Sequence, residues 1–191
     1  VDFDAPPEES APARVAALGV DPDEVAAVVL THAHPDHIAG LADFPRARIV
    51  ASRAAATDLD RRGHEAFVRG VFPGLVPSNP SARLECAEDR PATRESVWRT
   101  GLAPLGRAFD LLGDGTLLGV PLPGHGRGQL GVLVADAVVA APRGVGCAVA
   151  GDDGAGRSRA VFLVADTASS RAELDGEIRP TSVQSLVHPV L

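Results

Sequence analysis

A polar segment with three histidines directly follows a short apolar run near residue 30. Residues 25–30 are mostly apolar and predict a buried strand, and residues 31–40 then read Thr-His-Ala-His-Pro-Asp-His-Ile-Ala-Gly. Three of the chain's six histidines and one aspartate thus fall within six positions at the end of a strand. Such a cluster on a rigid element predicts a metal site, and a solvated polar loop is the alternative interpretation.

The spacing within this segment has a geometric meaning. Side chains alternate along extended backbone, so His32, His34 and Asp36 are expected to project to one side. Pro35 keeps His34 out of the helical region, and a helix is predicted to begin at His37 and to end before residue 45. A turn into that helix would direct Asp36 and His37 to a second point. One loop could then offer two ligands to each of two metals about 3.5 Å apart.

Composition and charge argue against several classes of protein. The 191 residues carry a formal net charge of −7 without a basic run, which disfavours a nucleic-acid partner. No apolar stretch reaches the ~18 residues of a membrane span, so we expect a small-molecule substrate and a cytoplasmic location. Cys86 and Cys147 form no Cys-x-x-Cys pair, which argues against a thiolate zinc cluster.

The chain holds no Met, so residue 1 is not expected to be a translation start. The sequence leaves the oligomeric state open.

The rest of the pattern predicts helices and strands in alternation at first, and mainly strands after residue 107. Predicted helices cover residues 11–19 and 52–62. Predicted strands cover residues 25–30, 48–51, 108–112, 116–122, 129–140 and 160–165. Residues 63–106 contain several prolines and are expected to be irregular, either as an ordinary long connection or as a surface excursion or lid. Residues 141–159 are expected to form a flexible connection.

Residues 31–40 resemble the Thr-His-x-His-x-Asp-His-x-x-Gly signature of the metallo-β-lactamase-fold hydrolases. Two further segments match the family in the expected order. Residues 122–126 resemble its Pro-Gly-His segment, and residues 161–166 resemble its strand that ends in a metal-bridging aspartate. The resemblance covers most of the chain. It implies an α+β fold, the four-layer αββα sandwich of the metallo-β-lactamase type, as a single domain over residues 1–191 that is incomplete at both ends.

The same resemblance implies a dinuclear metal site. The implied ligands are, for one metal, His32, His34 and His125; for the second, Asp36 and His37; and, between the two, Asp166. Zn²⁺ is the expected ion, two per complete site, with iron or manganese as alternatives. Asp36 is the implied catalytic residue, which orients a metal-bound hydroxide and moves its proton.

The outlying residues keep alternative interpretations. From the residues alone, His125 could be a turn histidine and Asp166 an ordinary strand-end acid. Arg127 and Gln129 either line the pocket or lie at the surface. For the family's final histidine, only His188 is a candidate in this chain, and its neighbours do not suggest a ligand turn.

The resemblance implies a metal-dependent hydrolase that attacks a small ester, lactone or thioester. Related lactonases often use a pocket tyrosine, and this chain contains no Tyr. One alternative is a mononuclear iron oxidoreductase on the same fold, similar to the persulfide dioxygenases, with His32, His125 and Asp166 as ligands. The other is a catalytically silent fragment that binds metal.

Overall fold

The computed structural model describes residues 6–93, 107–137, 147–150 and 159–166. The chain divides into two compact units, Val1–Asp89 and Arg90–Leu191, and each unit contains one sheet. The first combines helices with strands and the second is mainly β, as the sequence predicts. A single domain over residues 1–191 stays a prediction. Among the described residues, none of the helices has the length and apolar character that crossing a bilayer requires.

A three-stranded parallel sheet lies in the first unit. Its strands, in spatial order, are β1 (Ala27–Val29), β2 (Arg48–Ala51) and β3 (Leu84–Cys86). The helices of this unit are α1 (Ala11–Ala17), α2 (Pro35–Ile38), α3 (Arg53–Leu59) and α4 (Gly63–Val68). Parallel strands need crossover connections, and the polar segment 31–40 begins the connection from β1 to β2. It therefore lies at the carboxyl end of β1, where parallel sheets commonly carry functional residues.

Local signals explain where these elements begin and end. Gly19 follows α1 with φ of +81°, a conformation that glycine adopts without strain. Ser52 caps α3, because its Oγ accepts a hydrogen bond from the Ala55 N–H at 3.1 Å. The predicted helix over residues 52–62 is confirmed, but it ends at Leu59.

The expectation of an irregular stretch over residues 63–106 is wrong in part. Helix α4 begins at Gly63, and β3 pairs in parallel with β2. Strand β3 has only three residues, and the middle one is Glu85, so it shows no apolar pattern. The Glu85 carboxylate accepts a hydrogen bond from Arg48 Nη1 on β2 at 3.1 Å, so an ion pair between neighbouring strands supports this pairing.

A six-stranded antiparallel sheet forms the second unit, in the order β4-β5-β6-β7-β9-β8. The strands are β4 (Ala92–Thr93), β5 (Ala108–Asp110), β6 (Leu117–Pro121), β7 (Leu130–Ala137), β8 (Cys147–Ala150) and β9 (Arg159–Leu163). The predicted strands at 108–112, 116–122, 129–140 and 160–165 are thereby confirmed, with shorter bounds. The prediction of a connection throughout 141–159 is wrong at β8, which pairs with β9. Its four residues are an apolar run of the shortest usual strand length, and the glycine-rich sequence around them favours a connection instead.

Buried side chains on one face of this sheet come close together around Gly131. Leu118, Val120, Leu133 and Phe162 belong to one buried cluster. A Cβ built on Gly131 would lie 2.6 Å from Leu122 Cδ1 and 2.7 Å from Phe162 Cε2, so any side chain there would force these neighbours to shift. The packing of the sheet thus favours glycine at residue 131.

Candidate metal centre

The segment after β1 leaves extended backbone earlier than the spacing predicts. His34 is extended, with φ of −70° and ψ of 156°, and is the N-cap residue of α2, which begins at Pro35 and not at His37. Proline is favoured at the first helical position, and an acidic residue is stabilised in the first turn, which explains this start. Asp36 therefore lies in the helix, and the expected projection of Asp36 in line with His32 and His34 is wrong.

Three imidazoles gather at this point in the first unit. His32 is completely buried, and its ring centroid lies 4.5 Å from that of His34 and 4.1 Å from that of His37. A ring nitrogen of His32 lies within 4.8 Å of a ring nitrogen of each of the other two histidines. Neutral imidazole nitrogens are common ligands of zinc and other transition metals, so the donor set fits a metal.

Thr31 contacts two of these rings. Its Oγ1 lies 3.1 Å from Nδ1 of His32 and 3.2 Å from Nδ1 of His37. Both Nδ1 atoms therefore face the hydroxyl, and Nε2 is the nitrogen that each ring presents elsewhere. The sequence places Thr31 in the motif but gives no indication of this double contact.

The third ring, His34, is oriented by the backbone of Gly70. A Cβ built on residue 70 would lie 3.1 Å from Cδ2 and 3.3 Å from Nε2 of His34. The Cδ2–Nε2 edge of the ring thus faces Gly70, which leaves Nδ1 on the opposite edge. Sequence reasoning missed this contact, because an isolated glycine 36 positions after the histidine carries no local signal.

Asp36 lies beside the last histidine of the segment. Its Oδ2 is 3.5 Å from Nε2 of His37, and its side chain is 63% exposed. The carboxylate is thus open to solvent at one side and next to an imidazole at the other. This position allows it both to bind a metal and to exchange a proton with water.

A second histidine and aspartate pair lies in the second unit. His125 Nε2 is 3.5 Å from Oδ2 of Asp166, and both side chains are partly exposed. Asp166 follows Ala165, whose φ of +50° is uncommon for a residue with a side chain. Such backbone outliers are found more often at functional sites than elsewhere.

Gln129 links the two segments that carry this pair. It is 1% exposed; its Oε1 accepts a hydrogen bond from the Gly126 N–H at 3.1 Å, and its Nε2 donates one to the Val164 carbonyl at 3.3 Å. Gly126 is next to His125, and Val164 is two residues before Asp166. Gln129 is thus buried, and it lies neither at the surface nor along an open pocket. Arg127 is exposed, in agreement with the surface alternative for this residue.

The remaining polar residues have simpler positions. His64 is exposed, as expected of a solvated surface. Asp110 is a turn residue, since its carboxylate accepts hydrogen bonds from the Gly113 and Gly115 N–H groups. Hydrogen bonds from Thr116 hold the pKa of Asp114 below its ordinary value. His188 lies outside the described residues.

One family model matches the chain over most of its length. A family model described as the metallo-beta-lactamase superfamily matches residues 3–141, which is most of the chain. The chain belongs to the metallo-β-lactamase superfamily. This membership confirms the expected family, its fold and the α+β class. The match includes both the histidine segment after β1 and the segment that contains His125.

The curated relatives match this chain over only part of their own length. An N-acyl homoserine lactonase of Azorhizobium caulinodans is 34% identical over 127 residues, which cover 66% of this chain and 42% of the lactonase. A Mycobacterium bovis protein named "probable metallo-hydrolase" is 33% identical over 133 residues, covering 66% of this chain and 38% of that protein. The chain thus spans about two fifths of the length of these relatives.

Solved structures give a weaker likeness. An N-acyl homoserine lactone hydrolase, solved with the product N-hexanoyl-L-homoserine bound at its catalytic metal centre, has a TM-score of 0.47 and 14% sequence identity. The likeness covers 67% of this chain and 40% of that one.

Proposed function

We propose that this chain is the metal-binding part of a metal-dependent hydrolase whose substrates are small lactones, esters or thioesters. The proposed ligands are His32, His34 and His125 for one Zn²⁺, Asp36 and His37 for a second, and Asp166 for both. The superfamily match over residues 3–141 includes all five of the proposed ligands that precede Asp166. Asp166 lies beyond the matched residues and is proposed from its spacing to His125.

One observation carries this proposal: the same 3.5 Å separation occurs in both histidine and aspartate pairs. It is found between Nε2 of His37 and Oδ2 of Asp36, and between Nε2 of His125 and Oδ2 of Asp166. Two donors that share a tetrahedral metal, each about 2.1 Å from it, lie about 3.4 Å apart. A strong hydrogen bond between charged groups would be about 2.8 Å long. Both pairs therefore have the spacing of neighbouring ligands.

The residues divide the chemistry between them. A divalent metal pair, when bound, supplies Lewis acidity that lowers the pKa of water and polarises a carbonyl. Asp36, with its exposed carboxylate, is proposed to orient the attacking water and accept its proton. The buried His32 has the fixed orientation that a structural ligand needs, while the partly exposed His125 and Asp166 leave room for a substrate.

A lactone is the substrate class that we favour. The Azorhizobium caulinodans relative is an N-acyl homoserine lactonase, and its identity to this chain is 34%. A lactone carbonyl gains negative charge when water attacks it, and cationic metals stabilise that charge. The resemblance to lactonases implies a pocket tyrosine in many of them, and this chain contains no Tyr.

The test combines metal analysis with hydrolysis assays on the 191-residue chain. We expect mass spectrometry to find bound zinc, and a pH-stat assay to show opening of N-acyl homoserine lactones. His32→Ala and His34→Ala should lose both metal and activity, whereas His64→Ala, at an exposed histidine, should keep both. A folded, zinc-loaded chain that hydrolyses no lactone, ester or thioester would contradict the proposal. Iron as the sole bound metal would instead favour the oxidoreductase alternative.

A further inference from the structure

Thr31 stands between two of the proposed ligands. Its single hydroxyl oxygen is within hydrogen-bonding distance of Nδ1 of His32, at 3.1 Å, and of Nδ1 of His37, at 3.2 Å. A threonine hydroxyl has one proton to donate and two lone pairs that accept. A neutral imidazole carries its proton on one nitrogen, and the other nitrogen accepts. The hydroxyl can thus donate to one ring at most, whereas it can accept from both.

We propose that Thr31 accepts hydrogen bonds from Nδ1–H of both His32 and His37, and so fixes both rings in the tautomer whose bare nitrogen is Nε2. This inference rests on the proposed function, because it explains how both rings are prepared to bind metal. If Thr31 donated its proton to one ring, that ring would carry its own proton on Nε2. That nitrogen could not then bind a metal. Double acceptance is the arrangement that leaves both Nε2 atoms available.

The surroundings of the two rings agree with this assignment. His32 is completely buried, so water cannot readily replace Thr31 at its Nδ1. Nε2 of His37 lies 3.5 Å from Oδ2 of Asp36, which is longer than the roughly 2.8 Å of a charge-assisted hydrogen bond, so this contact does not require a proton on Nε2. His34 is oriented differently, since its Nε2 edge faces Gly70. Thr31 is therefore a positioning residue for two of the three histidines.

The tautomers can be measured without any metal. In the metal-free chain at about pH 8, where histidines are mostly neutral, ¹⁵N-histidine NMR distinguishes Nδ1–H from Nε2–H. We expect His32 and His37 to carry the proton on Nδ1 in the wild type and in Thr31→Ser, which keeps the hydroxyl. In Thr31→Val, which has the same shape without the hydroxyl, the rings should move toward Nε2–H. The exposed His64 should be unchanged in all three proteins.

Zinc titration gives the second readout. Loss of such a supporting hydrogen bond typically weakens metal binding 10–100-fold, so we expect a loss of about this size in Thr31→Val and near-wild-type binding in Thr31→Ser. A proton on Nε2 of His32 or His37 in the wild type would overturn the inference. So would a folded Thr31→Val with unchanged tautomers and zinc affinity. If Thr31→Val does not fold, the wild-type and Thr31→Ser spectra decide. A chain that binds no metal would refute the proposed function, and the metal-free tautomers would still decide the role of Thr31.

Discussion

The imidazole of His34 lies so close to Gly70 that a Cβ added at residue 70 would require the ring to move by a few tenths of an ångström. A Cβ at that position would be 3.1 Å from Cδ2 of the ring. Gly70 also has φ of +71°, which side chains rarely adopt. The positive φ therefore favours glycine at residue 70, and an added Cβ would also press on the His34 ring.

We expect Gly70→Ala to displace His34 and to weaken zinc binding about tenfold, by analogy with other losses of ligand support. Gly63→Ala is the matched control, because Gly63 has φ of +59° and nothing within 4 Å of its Cβ position. Both variants should lose about 1–2 kcal/mol in the free energy of unfolding through backbone strain. Chelator competition measures the zinc affinity, and equal affinities in the two variants would contradict the steric role of Gly70.

Asp36→Asn should lower kcat for lactone opening by about 10²–10⁴-fold, because the amide cannot accept the proton of the attacking water. It should also reduce the amount of zinc bound per chain, since Asp36 is a proposed ligand of the second metal. Asp43→Asn, at an exposed aspartate, is the control and should behave like the wild type. A kcat for Asp36→Asn close to that of the wild type would exclude the catalytic role.

Gln129→Met keeps the size of the side chain and removes both hydrogen bonds of the link described above. The Gly126 N–H and the Val164 carbonyl then lose a buried partner, so urea unfolding should show a loss of about 1–3 kcal/mol. Zinc binding should weaken as well, because both segments that lead to His125 and Asp166 are released. A variant with reduced stability and unchanged zinc affinity would show that the link is structural only.

Ser52→Ala should destabilise the chain by about 1 kcal/mol, because it removes the cap of α3. Ser10→Ala provides a comparison in the same unit, since Ser10 caps α1 through a longer hydrogen bond, 3.4 Å against 3.1 Å. Ser52 is buried, whereas Ser10 is partly exposed. Urea unfolding should therefore show a larger loss for Ser52→Ala, and the reverse order would contradict this assignment.

Burial raises the pKa of the Cys86 thiol; Arg53 partly offsets this increase, and Asp89 and Glu88 add to it. In a Cys147→Ser background, alkylation by iodoacetamide should thus rise with pH through a midpoint above that of the urea-unfolded chain. Arg53→Ala should move the midpoint higher still, because it removes the cation that favours the thiolate. A midpoint at or below that of the unfolded chain would show that folding does not raise the pKa of the Cys86 thiol.

The parts of the fold that the sequence predicts are those whose signal lies within a few neighbouring residues. Serine at residue 52 marks a helix start, and the apolar run before Thr31 marks a strand. The proximity of His32, His34 and His37 likewise follows from their spacing at a strand end. The sequence correctly predicts that Pro35 keeps His34 extended. Proline also favours the first helical position, and for this reason the helix begins at residue 35 and not at residue 37.

The parts that could not be predicted depend on contacts between distant positions. Strand β3 forms because Glu85 and its neighbours pair with β2, although α3 and α4 separate the two strands along the chain. Gly70 reaches His34, and Gln129 reaches the Val164 carbonyl, only after the chain has folded back. Such contacts have no local periodicity, so a single sequence does not reveal them.

The absence of a side chain at Gly131 has a consequence for how this chain can evolve. Leu122 and Phe162 fill the space that a Cβ would occupy, and these residues precede the segments of His125 and Asp166. A larger residue would push against both side chains, although residue 131 is not a proposed ligand. We therefore expect residue 131 to tolerate fewer substitutions than many residues that a substrate could touch.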